Sequence, residues 1–163
     1  MSTPLLILSA LAGLCGLFAV LYVVARRIDN YGIVDVAWSY AFAALAGFYA
    51  AFSPGWAPRR ALLATLVVLW SLRLGTHLYR RVMGHHPVED GRYVQLRKDW
   101  AGNFTVKMAG FFQLQAASVV LLGLAFVPSF LQTAPPFHPL EIAGAALWII
   151  ALGGEALADR QLA

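Results

Sequence analysis

The sequence predicts an all-α integral membrane protein of five transmembrane helices, and three observations carry that prediction. Of 163 residues, 60% are hydrophobic and 12% charged, with a mean hydropathy of +0.68. Soluble domains run nearer roughly 45–50% apolar and about 25% charged. Five apolar runs, each close to the ~20 residues that cross a hydrocarbon core, are separated by short polar turns. Lys and Arg crowd into alternate turns, as the positive-inside rule requires.

The first span, Pro4–Ala25, is an unbroken apolar run. No Lys or Arg precedes it and Arg26–Arg27 follow it, the reverse of a secretory signal, so it reads as a retained span. The polar turn RRIDNYG leads into the second span, Ile33–Phe52, which carries Asp35 near its start. A Pro/Gly turn, SPGWAPRR, places Trp56 as an interface anchor. The third span, Ala61–Tyr79, contains Arg73 and His77. The only long hydrophilic segment follows. Within it, Tyr93, Leu96 and Trp100 share helical spacing, which predicts a short helix on the membrane surface with Arg97 and Lys98 turned away. Val106–Leu131 is the fourth span and Leu140–Ala158 the fifth, joined by the Pro-rich turn QTAPPFHP. The whole of residues 1–163 reads as one transmembrane bundle.

Arg26, Arg27, Arg80, Arg81, Arg92, Arg97, Lys98, Lys107 and Arg160 fall on one side; only Arg59 and Arg60 fall on the other. The expected orientation therefore has the N-terminus outside and the C-terminus in the cytoplasm of a bacterial inner membrane. The +4 net charge belongs to topology rather than to nucleic-acid binding, so the lipid bilayer is the expected partner. One cysteine, Cys15, excludes a disulfide framework and a Cys-based metal site.

An ionisable group inside an apolar span costs about 2.5–3.5 kcal/mol on insertion scales and faces the protein interior or a wet cavity. At 1.5 Å per residue, Asp35 lies about 3–5 Å from the cytoplasmic end, Glu155 about 5 Å, and Arg73 about 10 Å. Gln113 and Gln115 lie about 10–13 Å in. All share one half of the membrane, which predicts a polar cavity open to the cytoplasm. Trp70, Arg73 and His77 share a helix face, as do Glu155 and Asp159. Asp35 and Glu155 are the natural partners for Arg73, and such a pair serves equally well as a staple between helices. His77 suits snorkelling or capping, and His85–His86 have no ligand set at metal spacing. Gln113 and Gln115 face different ways, so one lines the cavity and the other bonds between helices. No Gly-rich phosphate loop, nucleophile motif or helical HExxH is present.

The strings IVDVAW, LWSLRLGTHLYRR, EDGRY and ALGGEALADRQL, in this order, resemble bacterial members of the steroid 5-alpha-reductase-like membrane family. That family has a seven-helix fold related to isoprenylcysteine carboxyl methyltransferases and sterol reductases. The resemblance runs from about Asn30 to Ala163. It implies NADPH-dependent reduction of an enone-like carbon–carbon double bond in a lipid. Asp35 is similar to the acid that polarises the substrate carbonyl, and Trp70 stands where the family has a tyrosine. With Arg73 these are the expected catalytic positions. Glu155 and Asp159 are similar to a polar pair that contacts the cofactor, and Arg81 is placed with them. Relatives continue past the DRQL segment with two more helices and a tail resembling LWRYSRHPNYFGE. The chain is therefore expected to act as an accessory or structural subunit of a membrane complex, or as the N-terminal part of a reductase.

Overall fold

The computed structural model describes residues 1–161, so Leu162, which ends the ALGGEALADRQL string, and Ala163 lie outside the described residues. Seven α-helices follow one another: α1 (Thr3–Ile28), α2 (Ile33–Phe52), α3 (Ala57–Gly84), α4 (Gly91–Asp99), α5 (Phe104–Gly123), α6 (Val127–Leu131) and α7 (Pro139–Gln161). No strand occurs among the described residues. Four of these helices, and α5 with α6 taken together, are long and apolar enough to cross a membrane.

α2 is the central helix. It packs most extensively on α3 and also touches α1, α5 and α6. On α1, Leu6, Ala10, Leu14 and Phe18 recur every fourth residue and are buried, a single ridge against α5 and α2. On α3 the buried ridge is Val67, Ser71 and Gly75. Small residues let the helices approach closely, as in membrane interfaces generally. A Cβ on Gly75 would lie 2.6 Å from the Tyr40 ring, so no larger residue fits without moving that ring. Ser71 Oγ donates to Ser39 O at 2.5 Å and accepts from Ala43 N at 3.1 Å, sewing α3 to α2.

The third helix is longer at both ends than the apolar run Ala61–Tyr79, and takes in Arg59, Arg60, Arg80 and Arg81. The fourth span is interrupted. Between α5 and α6 the chain passes through a 3₁₀ turn at Leu124–Phe126. Pro128, in the first turn of α6, has no N–H to give the preceding turn and crowds it.

The opposite end of the bundle, where only two cations sit, is tied by them. Arg59 is 4% exposed. Its guanidinium donates to Glu141 and to the carbonyls of Gln132, Ala134 and Pro136 at 2.9–3.2 Å. Arg60 donates to Ala50 O and Ser53 O. A residue expected only to mark topology thus holds the Pro-rich turn against α3.

α7 stands apart. None of its residues is buried, and its contacts are chiefly with α3. The core belongs to α1–α6.

Candidate functional site

Arg73 projects from α3 to α7 and donates to both Glu155 and Asp159. The carboxylates sit one helical turn apart, so one planar guanidinium spans them. His77 Nδ1 lies 3.9 Å from Asp159 Oδ2. Arg73 Nε is enclosed and has no hydrogen-bond partner. Of the two expected partners for Arg73, Glu155 is correct and Asp35 is not.

Beside this cluster runs an open apolar groove of about 500 Å³ between α2, α3, the 3₁₀ turn and α7. Trp38, Phe42, Trp70, Phe126 and Trp148 form its aromatic lining, and Glu155 is its polar member. The Trp70 ring meets Phe42 edge-on at 5.4 Å, and Trp38 does the same at 4.8 Å from the other side. Trp38 Nε1 donates to Ser118 Oγ, which satisfies the indole and leaves its ring to the groove. The expected polar cavity is therefore a largely apolar groove with a charged end.

Asp35 belongs to a second cluster. Tyr93 Oη donates to Asp35 Oδ1 at 2.9 Å, and Arg92 Nη2 donates to Asp35 Oδ2 at 2.9 Å. Asp90 caps α4 by accepting from Arg92 N, and also receives Arg92 Nε and Arg81 Nη2. The Arg92 guanidinium holds the Asp90 carboxyl below its usual range, and Arg81 adds to it. Burial raises the Tyr93 phenol, and the Asp35 charge raises it further. Tyr93 and Asp35 are 58 residues apart, so no local pattern in the sequence announces this pairing.

The short helix α4 exists, and its Tyr93, Leu96 and Trp100, expected to face the membrane surface, pack against the protein core. Arg97 is not turned away. It donates to Glu89 and Asp29 and lies 4.8 Å over the Tyr31 ring and 5.3 Å over Phe104. The glutamines also settle differently. Gln113 donates to Cys15 O on α1, and Gln115 accepts from Ser118, so neither lines the groove.

The structure brings Trp70, Arg73, Glu155 and Asp159 together, and leaves Asp35 and Arg81 elsewhere. Arg81 is two turns beyond Arg73, about 12 Å along α3, beside a separate cavity of about 280 Å³. Among the described residues, Glu155 and Asp159 thus stand together on α7 against Arg73, and Arg81 stands at this other cavity. No three metal-ligating side chains cluster among them.

A family model described as "Protein of unknown function (DUF1295)" matches residues 21–163. No curated protein and no solved structure matches the chain. The match takes in α2–α7 and the last turns of α1, and with them every residue of both clusters. The chain belongs to the DUF1295 family, membrane proteins related to the steroid 5-alpha-reductases.

Proposed function

We propose that this protein is an accessory subunit of a membrane complex, and that it holds an amphipathic lipid with an enone-like double bond for a reduction to which a partner chain would bring NADPH. The observation that supports this reading is the aromatic groove of about 500 Å³ ending at Glu155. Its volume falls in the range of small-molecule sites, and its lining suits hydrocarbon rather than a nucleotide. α7 forms one wall of the groove through Trp148, Ala151 and Leu152, and because that helix has no buried residue a lipid would enter beside it from the bilayer. The lipid's carbonyl then lies at the charged end, where Arg73 Nε–H is a donor without a partner. Trp70 sets the plane of the apolar part. NADPH would supply the hydride and water the proton that completes the reduction; this chain's residues bind and orient the acceptor. By the excess of Lys and Arg, the basic end faces the cytoplasm.

The alternative is a reductase in its own right, with Asp35, Trp70 and Arg73 acting on the substrate. Against it stands the position of Asp35, whose oxygens already accept from Tyr93 and Arg92. A titration separates the two readings. The purified chain should bind a steroid enone saturably, and Trp70→Ala should weaken that binding at least ten-fold. NADPH should bind only when the partner chain is present. Saturable NADPH binding by the chain alone favours the reductase; no enone binding at all overturns both.

A further inference from the structure

We propose that α7 is a strap over the aromatic groove, pivoting at its Glu141 end and latched at its Glu155 end, which opens the groove by swinging away from α3. Admission of a lipid through this opening rests on the reading of the groove as a lipid site; the swing itself does not. No residue of α7 is buried, and α3 is the helix it chiefly touches. In a bilayer such apolar contact is held weakly, because lipid tails replace it at little cost. Among the described residues, two polar fastenings hold α7 to α3: Glu141 in its first turn, and Glu155 with Asp159 near its last. About four helical turns, roughly 21 Å, separate Glu141 from Glu155. Between them Trp148, Ala151 and Leu152 line the groove instead of packing into the core.

The two fastenings differ. At Glu141 the partner is Arg59, whose side chain is 5% exposed and which also donates to the carbonyls of Gln132, Ala134 and Pro136. Glu141 Oε2 further accepts from His138 N at 2.7 Å, so this end is tied to the turn as well as to α3. At the other end Arg73, Glu155 and Asp159 have side chains 22%, 47% and 32% exposed, and His77 adds only a 3.9 Å approach. A part-exposed ion pair can trade its partner for water, whereas breaking the buried one strands a charge. The Glu155 end therefore lets go first, and the Glu141 end is the pivot. Glu155 is also a wall of the groove, so an occupant that reaches this wall meets the latch itself.

Distances between paired spin labels read the swing directly, in the full chain carrying Cys15→Ser in phosphatidylcholine nanodiscs. One pair, Val23→Cys with Leu157→Cys, joins α1 to the latch end. The other, Leu8→Cys with Ile142→Cys, joins α1 to the pivot end. All four side chains are exposed, so the labels leave the core alone. Arg73→Gln should lengthen the first distance by about 5 Å or more, one helical pitch, and leave the second in place. Glu155→Gln with Asp159→Asn releases the latch from the side of α7 and should do the same, which covers a failure of Arg73→Gln to fold. A steroid enone should narrow the first distribution, and Trp70→Ala should remove that effect. Unchanged distances in the latch variants overturn the strap, and so does an equal shift of both pairs. A swing that the enone does not alter keeps the strap and overturns the lipid reading of the groove.

Discussion

Tyr93 donates its phenolic hydrogen to Asp35, so the short helix α4 is bolted to the first turn of α2 by a bond buried at the rim of the bundle. Arg92, the residue before Tyr93, reaches the other oxygen of the same carboxylate. One acid therefore carries the attachment of a whole connecting segment. Tyr93→Phe should cost about 1 kcal/mol, the net value of a typical hydrogen bond. Asp35→Leu should cost more, because it strands both donors. Hydrogen exchange across residues 91–99 is the direct readout: α4 should exchange faster in both variants, and most in Asp35→Leu. Unchanged exchange in Asp35→Leu would remove Asp35 from the role given to it.

Arg73 pairs with α7, not with Asp35, and a mutant cycle can test this. Arg73→Leu with Glu155→Leu and Asp159→Leu should recover stability that Arg73→Leu alone loses, since no unpaired charge remains. Arg73→Leu with Asp35→Leu should recover nothing. Coupling of about 0.5–3 kcal/mol is expected for residues that share a network. Thermal unfolding of the set in one detergent decides it; rescue by the Asp35 change alone would make Asp35, not α7, the partner of Arg73.

Arg59 is the least exposed cation in the chain and makes its bonds to a turn that has few others. Removing one partner of a buried pair typically costs about 3–5 kcal/mol. Glu141 is 28% exposed at its side chain, which reduces the penalty of stranding it. Arg59→Met should therefore cost about 3 kcal/mol. Limited proteolysis near residues 132–138 should rise before global unfolding does.

Acid should release α4 before it unfolds the helices. The Asp90 carboxyl has a folded value below its ordinary 3.8, because Arg92 and Arg81 favour the charged form. Its stabilising contribution is thus present in full above pH 3.8 and is lost as the pH falls through the lower folded value. Asp90 side-chain exposure of 20% keeps the effect modest. Trp100, at the end of α4, should report it as a change in fluorescence below pH 3.8. Asp90→Asn should flatten that change.

The spans were legible because they rest on run length and hydropathy, which are properties of contiguous residues. The face shared by Glu155 and Asp159 was equally legible, since helical spacing alone sets it. Partner choice was not. Depth placed Asp35 and Glu155 near Arg73 alike, and only the angle at which each helix turns decided between them. Tyr93 and Arg97 were hidden for a related reason. The face that Tyr93 shares with Leu96 and Trp100 was legible but its partner Asp35 was not, and the charge of Arg97 suggested solvent, whereas tertiary packing lays it over the Tyr31 ring. The clamp at Arg59 escaped because the carbonyls it satisfies belong to a turn whose path no local pattern specifies.

The position of α7 bears on how the protein is made. Because its residues add nothing to the buried core, α1–α6 can finish packing in the bilayer while the last helix is still being synthesised. Insertion of α7 then closes one side of a structure already complete, held by Arg59 at one end and Arg73 at the other. A translation pause or a premature stop before Pro139 would leave a folded product with an open aromatic flank rather than an unfolded chain.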